Sequence, residues 1–265
     1  MKGTLLLSGR QNINFMTNII SGGNPTHREI ELRNKFFDNF KNSPIPDNEL
    51  LSNLGLFIKS KDLKRILFFD DIYKRILATN GVIMEFGTRW GQNLALFESL
   101  RGIYEPFNLG RKIIGFDTFS GFVNIHNNDN KTQKHYNGDY GVTDHYEQFL
   151  EEVLTYHEQE NPISHIKKFD IIKGDAGVKV EEYLNKHPEI IIAFAYFDMD
   201  LYEPTKACLE LIKDHLTVGS IIGFDELNSD SFPGETLAVK EVLGLNRYKI
   251  QRNVYSSRES FLVIE

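Results

Sequence analysis

The chain has 265 residues, 41% of them apolar, with 20 Phe and 11 Tyr, which suits one large domain or one domain with an appended segment. Its 30 basic and 37 acidic side chains leave a net charge of −7, which argues against nucleic acid as a partner. A single cysteine, Cys208, excludes an intramolecular disulfide framework and a Cys-rich zinc site. No run reaches the length of a membrane span, and the opening MKGTLLLSGRQNINF is too short and polar for a secretory signal. The expectation is a soluble, cytoplasmic protein with no membrane insertion.

Residues 1–30 are rich in Asn, Gly, Ser and Thr and read as an arm or a poorly ordered tail. THREIELRNKFFDNFKN (26–42) predicts a helix with Phe36, Phe37 and Phe40 at helical spacing. Two prolines follow before the apolar pattern resumes. SKDLKRILFFDDIYKRILATNG (60–81) is the clearest amphipathic helix. Its predicted stripe is Leu63, Ile66, Leu67, Ile72, Tyr73 and Leu77, with Gly81 just past its end. Five short apolar runs then alternate with helical stretches. The runs are 81–87, 111–119, 169–176, 189–200 and 219–227; the helices are 91–101, 144–158, 177–186 and 204–215. That alternation predicts an α/β protein with a parallel sheet covered on both faces. Residues 120–145 form a polar insertion, read as a lid or binding loop. RYKIQRNVYSSRESFLVIE at the end predicts an edge hairpin. The division expected is an N-terminal helical extension over 1–80, covering the acceptor or mediating a homo-oligomer, and a core over 81–265.

Ligands of open parallel sheets bind outside the carboxyl ends of the strands. The five predicted strands deliver acids to that edge: Glu85, Asp117, Asp175, Asp198 with Asp200, and Asp225 with Glu226. One such acid is explained by turn or cap formation; five together point to a shared site. EFGTRWGQN (85–93) leads from the first strand into a helix, and Gly87 and Gly91 permit close backbone approach of a ligand. Its spacing is not the dinucleotide G-x-G-x-x-G, and Glu85 suits a cationic ligand. Asp117, placed to accept hydrogen bonds from ribose hydroxyls, and Asp175 together suggest an adenosine-bearing ligand. Asp198 and Asp200 share a face if the segment is extended. With Asp225 and Glu226 they form an oxygen donor set for Mg²⁺, Mn²⁺ or Ca²⁺. Rival readings are a glycosyltransferase using the D-M-D motif on a sugar diphosphate, and a non-catalytic binding subunit.

In order along the chain, GVIMEFGTRWGQN, IIGFDTFSGF, IIKGDAGVKVEEYL, FDMDLYEPTKACLELI and GSIIGFDELNSDSFPGE resemble the class I S-adenosylmethionine-dependent methyltransferases. More narrowly they resemble the metal-dependent sugar O-methyltransferases typified by the macrocin and mycinamicin enzymes, over roughly residues 50–245. The resemblance implies a Rossmann-like, seven-stranded, mostly parallel sheet with helices on both faces. It implies S-adenosylmethionine as donor, Mg²⁺ (or Mn²⁺), and a sugar or nucleotide-sugar acceptor, such as a bacterial surface-glycan precursor. The implied donor residues are Glu85, Phe86, Gly87, Thr88, Gly91 and Asn93 at the first turn. Asp117, Thr118 and Phe119 follow at the second, Asp175 and Ala176 at the third, and Asp198 at the fourth. The metal set is Asp200, Asp225 and Glu226, where the family usually has Asp-Asp in place of Asp225-Glu226. Tyr202 is assigned to the acceptor, and Asp200 or His135 to proton removal.

Overall fold

In the computed structural model, which describes residues 26–129, 135–255 and 258–265, the five apolar runs become five parallel strands. These are β1 (Val82–Phe86), β2 (Ile113–Asp117), β3 (Phe169–Lys173), β4 (Ile192–Phe197) and β5 (Leu216–Phe224). The helices joining them are α4 (Gln92–Tyr104), α5 (Tyr146–Gln159), α6 (Ala176–Lys186) and α7 (Tyr202–Ile212). A further helix, α8 (Gly234–Val242), follows β5. The strand order is β3-β2-β1-β4-β5-β7-β6, where β6 is Gln251–Arg252 and β7 is Ser260–Val263. β7 runs antiparallel to both β5 and β6. The predicted hairpin therefore forms, but only β6 lies at the edge: β7 carries Phe261 and Leu262, both buried, and apolar residues of that kind belong inside the sheet.

Each face of the sheet has its own core. Met84, Phe86, Ile114, Ala195, Phe197 and Ile222 pack with α6, α7 and α8. Ile83, Ile113, Phe194, Tyr196 and Ile221 pack with α4, α5 and α3 (Ser60–Ile76). Alternate residues of one strand serve opposite faces, as the two-residue period of a strand requires, and near-continuous apolar strands follow.

The chain divides into compact units between Ile58 and Lys59, not near residue 80. The reason lies in α3, which buries Phe68, Phe69, Ile72, Tyr73 and Ile76 in the second core. Of the predicted stripe Ile72 and Tyr73 are buried, but Leu63, Leu67 and Leu77 are exposed, and the paired phenylalanines face inward in their place. In the first unit, α1 (His27–Lys41) begins with a Thr26/Glu29 capping box and buries no residue. α2 (Asp47–Leu50) and a short 3₁₀ turn (Leu51–Leu56) follow. Phe57 packs on Phe36 and Phe40, with ring centroids 6.0 and 5.1 Å apart. The expectation for residues 1–25 lies outside the described residues, as does the 130–134 part of the insertion. The two ends of the insertion are tied together: Phe122 N–H donates to Asp139 O and Gly138 N–H to Phe122 O, both at 2.9 Å.

Candidate active site

Register fixes the site. Phe86 pairs with Phe116 and Phe197, and Phe197 pairs with Phe224. One residue further, ladder bonds persist: Gly87 N–H to Phe116 O at 2.9 Å, Asp198 N–H to Phe86 O at 2.8 Å, and Asp225 N–H to Phe197 O at 3.1 Å. Gly87, Asp117, Asp198 and Asp225 thus stand side by side on the carboxyl edge. The chain reverses its direction of winding between β1 and β4, the position where open sheets leave a crevice.

The β1–α4 turn uses positive φ at Gly87 (94°), Arg89 (49°) and Gly91 (74°). A Cβ at Gly87 would lie 2.0 Å from Asp198 O, and one at Gly91 2.2 Å from Leu150 Cδ1, so both glycines are required by close packing. Glu85 is fully buried. Its Oε1 accepts from Asn93 Nδ2 at 2.5 Å, while Oε2 and the Thr88 hydroxyl have no protein partner. Burial pushes the Glu85 carboxyl up to about 8. Two unpartnered buried oxygens beside a tight turn are what a polar ligand would satisfy. Phe86 lies in the first core. Asp117 accepts the Arg89 N–H at 2.7 Å and the Phe119 N–H at 2.5 Å; burial raises its pKa although both bonds oppose the shift. The Thr118 hydroxyl donates to Gly121 O at 2.9 Å, and Phe119 is buried. Asp175 is the N-cap of α6, accepting from Val178 N–H at 3.2 Å, so ordinary capping accounts for this acid. Ala176 opens that helix, buried.

The D-M-D segment differs from its expectation. β4 ends at Phe197, and Asp200 adopts φ 61°, so Asp198 and Asp200 are not two residues of one extended strand. Leu201 N–H donates back to Met199 O at 2.7 Å, which makes Asp200 the centre of a γ-turn with positive φ, a strained form. Nor does Asp198 cap α7, whose cap residue is Leu201 with no side-chain bond. Asp129, from the insertion, accepts the Tyr202 N–H at 2.8 Å instead.

Asp198 is ion-paired to Arg65 of α3, whose Nη1 also reaches Asp225 Oδ1 at 3.2 Å. Tyr196 donates its hydroxyl to the same Asp225 oxygen at 3.0 Å. Arg258 contacts Asp225 Oδ2 at 3.3 Å and pairs with Glu226. Burial, followed by Asp198 and Asp225, pushes Asp200 well above the usual carboxylate range; burial and then Asp225 push Asp198 up in turn.

Glu235, second residue of α8, is fully buried. It accepts the Glu226 N–H at 3.1 Å and is pushed well upward by burial and then by Asp200. A Cβ on the preceding Gly234 would lie 2.5 Å from Tyr202 N and 2.8 Å from Asp200 O. The F-P-G-E segment therefore fastens the two acidic loops together. The sequence gives this segment only as part of the family resemblance, with no role, and does not reveal Arg65, Arg258, Asp129 or Tyr196. An arginine on an amphipathic helix carries no signal of burial.

His135 is buried, not exposed: its ring stacks on Phe232 at 4.5 Å, and Nε2 lies 3.1 Å from Ser231 O. The Tyr202 hydroxyl donates to Glu241 on α8, and the residue lines a cavity of about 380 Å³ with Asn128, Leu237, Lys240 and Glu241. Cys208 is buried and its thiol pushed upward by burial, the inert core cysteine expected. Among the described residues, no group of three or more His, Cys, Asp or Glu is arranged to hold a metal ion. No described helix is long and apolar enough to cross a membrane.

A sheet of this order, with its acids gathered outside the β1/β4 crevice, defines a class I methyltransferase fold. No family model and no curated protein matches the chain. Solved structures do. CalS11, a calicheamicin methyltransferase, is 40% identical over 91% of this chain and 94% of its own, with a TM-score of 0.88. An apo structure of CalS11, described as a TDP-rhamnose 3'-O-methyltransferase of calicheamicin biosynthesis, is 38% identical over 91% and 96%, at 0.80. The O-methyltransferase NovP shares the fold at 15% identity over 76% and 79%, at 0.55. This chain belongs to the class I S-adenosylmethionine-dependent sugar O-methyltransferase family, and it is an enzyme of that class.

Proposed function

We propose that the protein methylates a hydroxyl of a nucleotide-linked sugar, or of a bacterial surface-glycan precursor. The observation that carries this reading is the 40% identity, over nearly the whole of both chains, to a calicheamicin sugar-nucleotide methyltransferase. The donor lies at the β1–α4 turn, which Gly87 and Gly91 shape by packing closely on Asp198 and Leu150; Asp117 holds its ribose and Asp175 flanks its adenine. The unpartnered oxygens of Glu85 and Thr88 at this turn support that placement.

Asp200, Asp225 and Glu226 are an oxygen-only donor set, the chemistry of a hard divalent cation such as Mg²⁺ or Mn²⁺. Burial, then Asp198 and Asp225, raise the Asp200 pKa, and a cation bound there would favour its ionised form. These three residues would hold the ion, and Arg258, which reaches Asp225 and Glu226 with a side chain 54% exposed, is the group it would displace. When bound, such an ion supplies positive charge beside the acceptor oxygen. Asp200 or His135 takes the hydroxyl proton as the methyl moves, and Tyr202 lines the acceptor cavity.

Calorimetry with S-adenosylhomocysteine, UDP and NAD, followed by methyl transfer to a panel of nucleotide sugars including TDP-rhamnose, tests the reading. S-adenosylhomocysteine binding with none to NAD supports it, whether or not UDP also binds. No such binding, or no sugar methylated, overturns it. Full activity in EDTA excludes the metal.

A further inference from the structure

Arg65 enters the site from α3, and each guanidinium nitrogen meets a different element. Nε donates to Asn93 Oδ1 of α4 at 3.2 Å, Nη1 to Asp225 Oδ1 beyond β5 at 3.2 Å, and Nη2 to Asp198 Oδ2 beyond β4. The guanidinium carbon lies 5.7 Å from the ring centroids of both Phe69 and Tyr196. Those two rings meet edge to face at 4.9 Å, and the Tyr196 hydroxyl donates to the same Asp225 oxygen. The side chain is 23% exposed. Burial opposes its charge, but Tyr196, Asp198 and Asp225 more than offset this and keep the guanidinium charged.

Asn93 extends the line of contacts. Its Nδ2 donates to Glu85, so Glu85, Asn93, Arg65 and Asp225 run in unbroken contact from the first turn to the fifth strand end. Asp198 forms a second branch and also closes on Gly87 through its backbone. Arg258 differs: it pairs with Asp225 and Glu226 from a half-exposed position.

We propose that Arg65 is a positioning residue that couples the donor half of the site to Asp225, so that filling the donor half fixes the carboxylate on the acceptor side. The inference rests on the donor placement proposed above. A planar fork with three separate nitrogens is what this arrangement uses. A lysine ammonium, a point charge on a flexible stem, cannot hold Asn93, Asp198 and Asp225 in fixed directions at once. Two carboxylates bonded to one guanidinium are linked through it, since a shift of the guanidinium toward either changes its bond to the other.

The test is a double-mutant cycle read by calorimetry with S-adenosylhomocysteine. Asp225→Asn, which removes a charge outside the donor half, is expected to change S-adenosylhomocysteine affinity by about twofold or more. In the Arg65→Lys background the same substitution is expected to change nothing further. Equal effects of Asp225→Asn in the two backgrounds, or none in either, overturn the coupling while leaving the donor reading intact. Absence of binding to the unmutated chain overturns the donor reading and the coupling with it. If Arg65→Lys does not fold, hydrogen exchange on the unmutated chain replaces the cycle. Slower exchange at 224–226 on adding S-adenosylhomocysteine supports the coupling, and unchanged exchange there overturns it.

Discussion

Two clusters of buried charge sit at opposite ends of the same sheet, and they are built differently. At the amino ends of the strands, Arg101, Arg111 and Lys168 face Glu98, Glu105 and Glu158. Their spare donors are taken up by backbone: Arg101 donates to Arg111 O and Lys168 O, and Arg111 to Gly81 O, Ile76 O and Thr79 O. Against the pull of burial, Arg111 and Asn108 hold Glu105 below the usual carboxylate range, while burial pushes Glu98 up to about 8. At the carboxyl ends, Glu85, Asp198, Asp200, Asp225, Glu226 and Glu235 gather around Arg65 and Arg258. There Glu85, Asp198, Asp200 and Glu235 are all pushed upward. A balanced cluster closes the fold. In the acid-rich one burial and neighbouring acids oppose ionisation, which a cationic ligand would favour, and shifted carboxyl groups of this kind gather at working sites.

That contrast can be broken in four ways. Asp200→Asn is expected to lower methyl transfer on the order of 10²–10⁴-fold with the urea midpoint held or raised, since burial already opposes ionisation of this carboxyl. Retained activity would place Asp200 with the structural acids. Arg101→Met, at the other end, is expected to cost about 3–5 kcal/mol in urea unfolding by leaving Glu98 buried without its partner and Glu158 with Lys168 alone. The surviving folded fraction should keep its KM for the donor, and a changed KM would show that the two ends are not separate. Gly234→Ala is intermediate. Its Cβ has no room against Asp200 O and Tyr202 N, so a loss of about 1–3 kcal/mol should accompany a fall in kcat.

The smallest effect is a pH slope. The unfolded chain releases the Glu85 proton near the ordinary 4.5, and the folded protein near about 8. Between those values the folded state binds the extra proton, so stability is present at low pH and lost as pH rises. Glu85→Gln keeps the amide contact with Asn93 and should flatten the fall in Tm between about pH 5 and 8. An unchanged slope would show that Glu85 is ionised in the fold.

Much of the architecture was legible beforehand, for physical reasons that can be named. Runs such as IIIAFAYF are apolar at every position, and only a strand buried on both faces uses such a run at that length. Acids following each run were legible as one edge because parallel strands put their carboxyl ends together. The stripe of α3 misled, because Leu63 and Leu67 fit the same period as the inward Phe68 and Phe69 and only packing chooses between them. The left-handed turn at Asp200 was hidden as well, since Asp-Met-Asp has no local signal for it. The roles of Arg65, Gly234 and Glu235 depend on residues far away in sequence: 160 positions separate Arg65 from Asp225.

The amino-acid sequence by itself determined the alternation of strands and helices, the acidic strand ends and the glycines of the first turn. Those features follow from local period and backbone conformation. Tertiary structure decided which carboxylates share a cation, which are capped or stapled, and which end of the sheet is left with unbalanced charge. Charge compensation is a property of distances across the fold, and contacts between α3, β4, β5 and α8 exist only once the sheet has brought them to one edge.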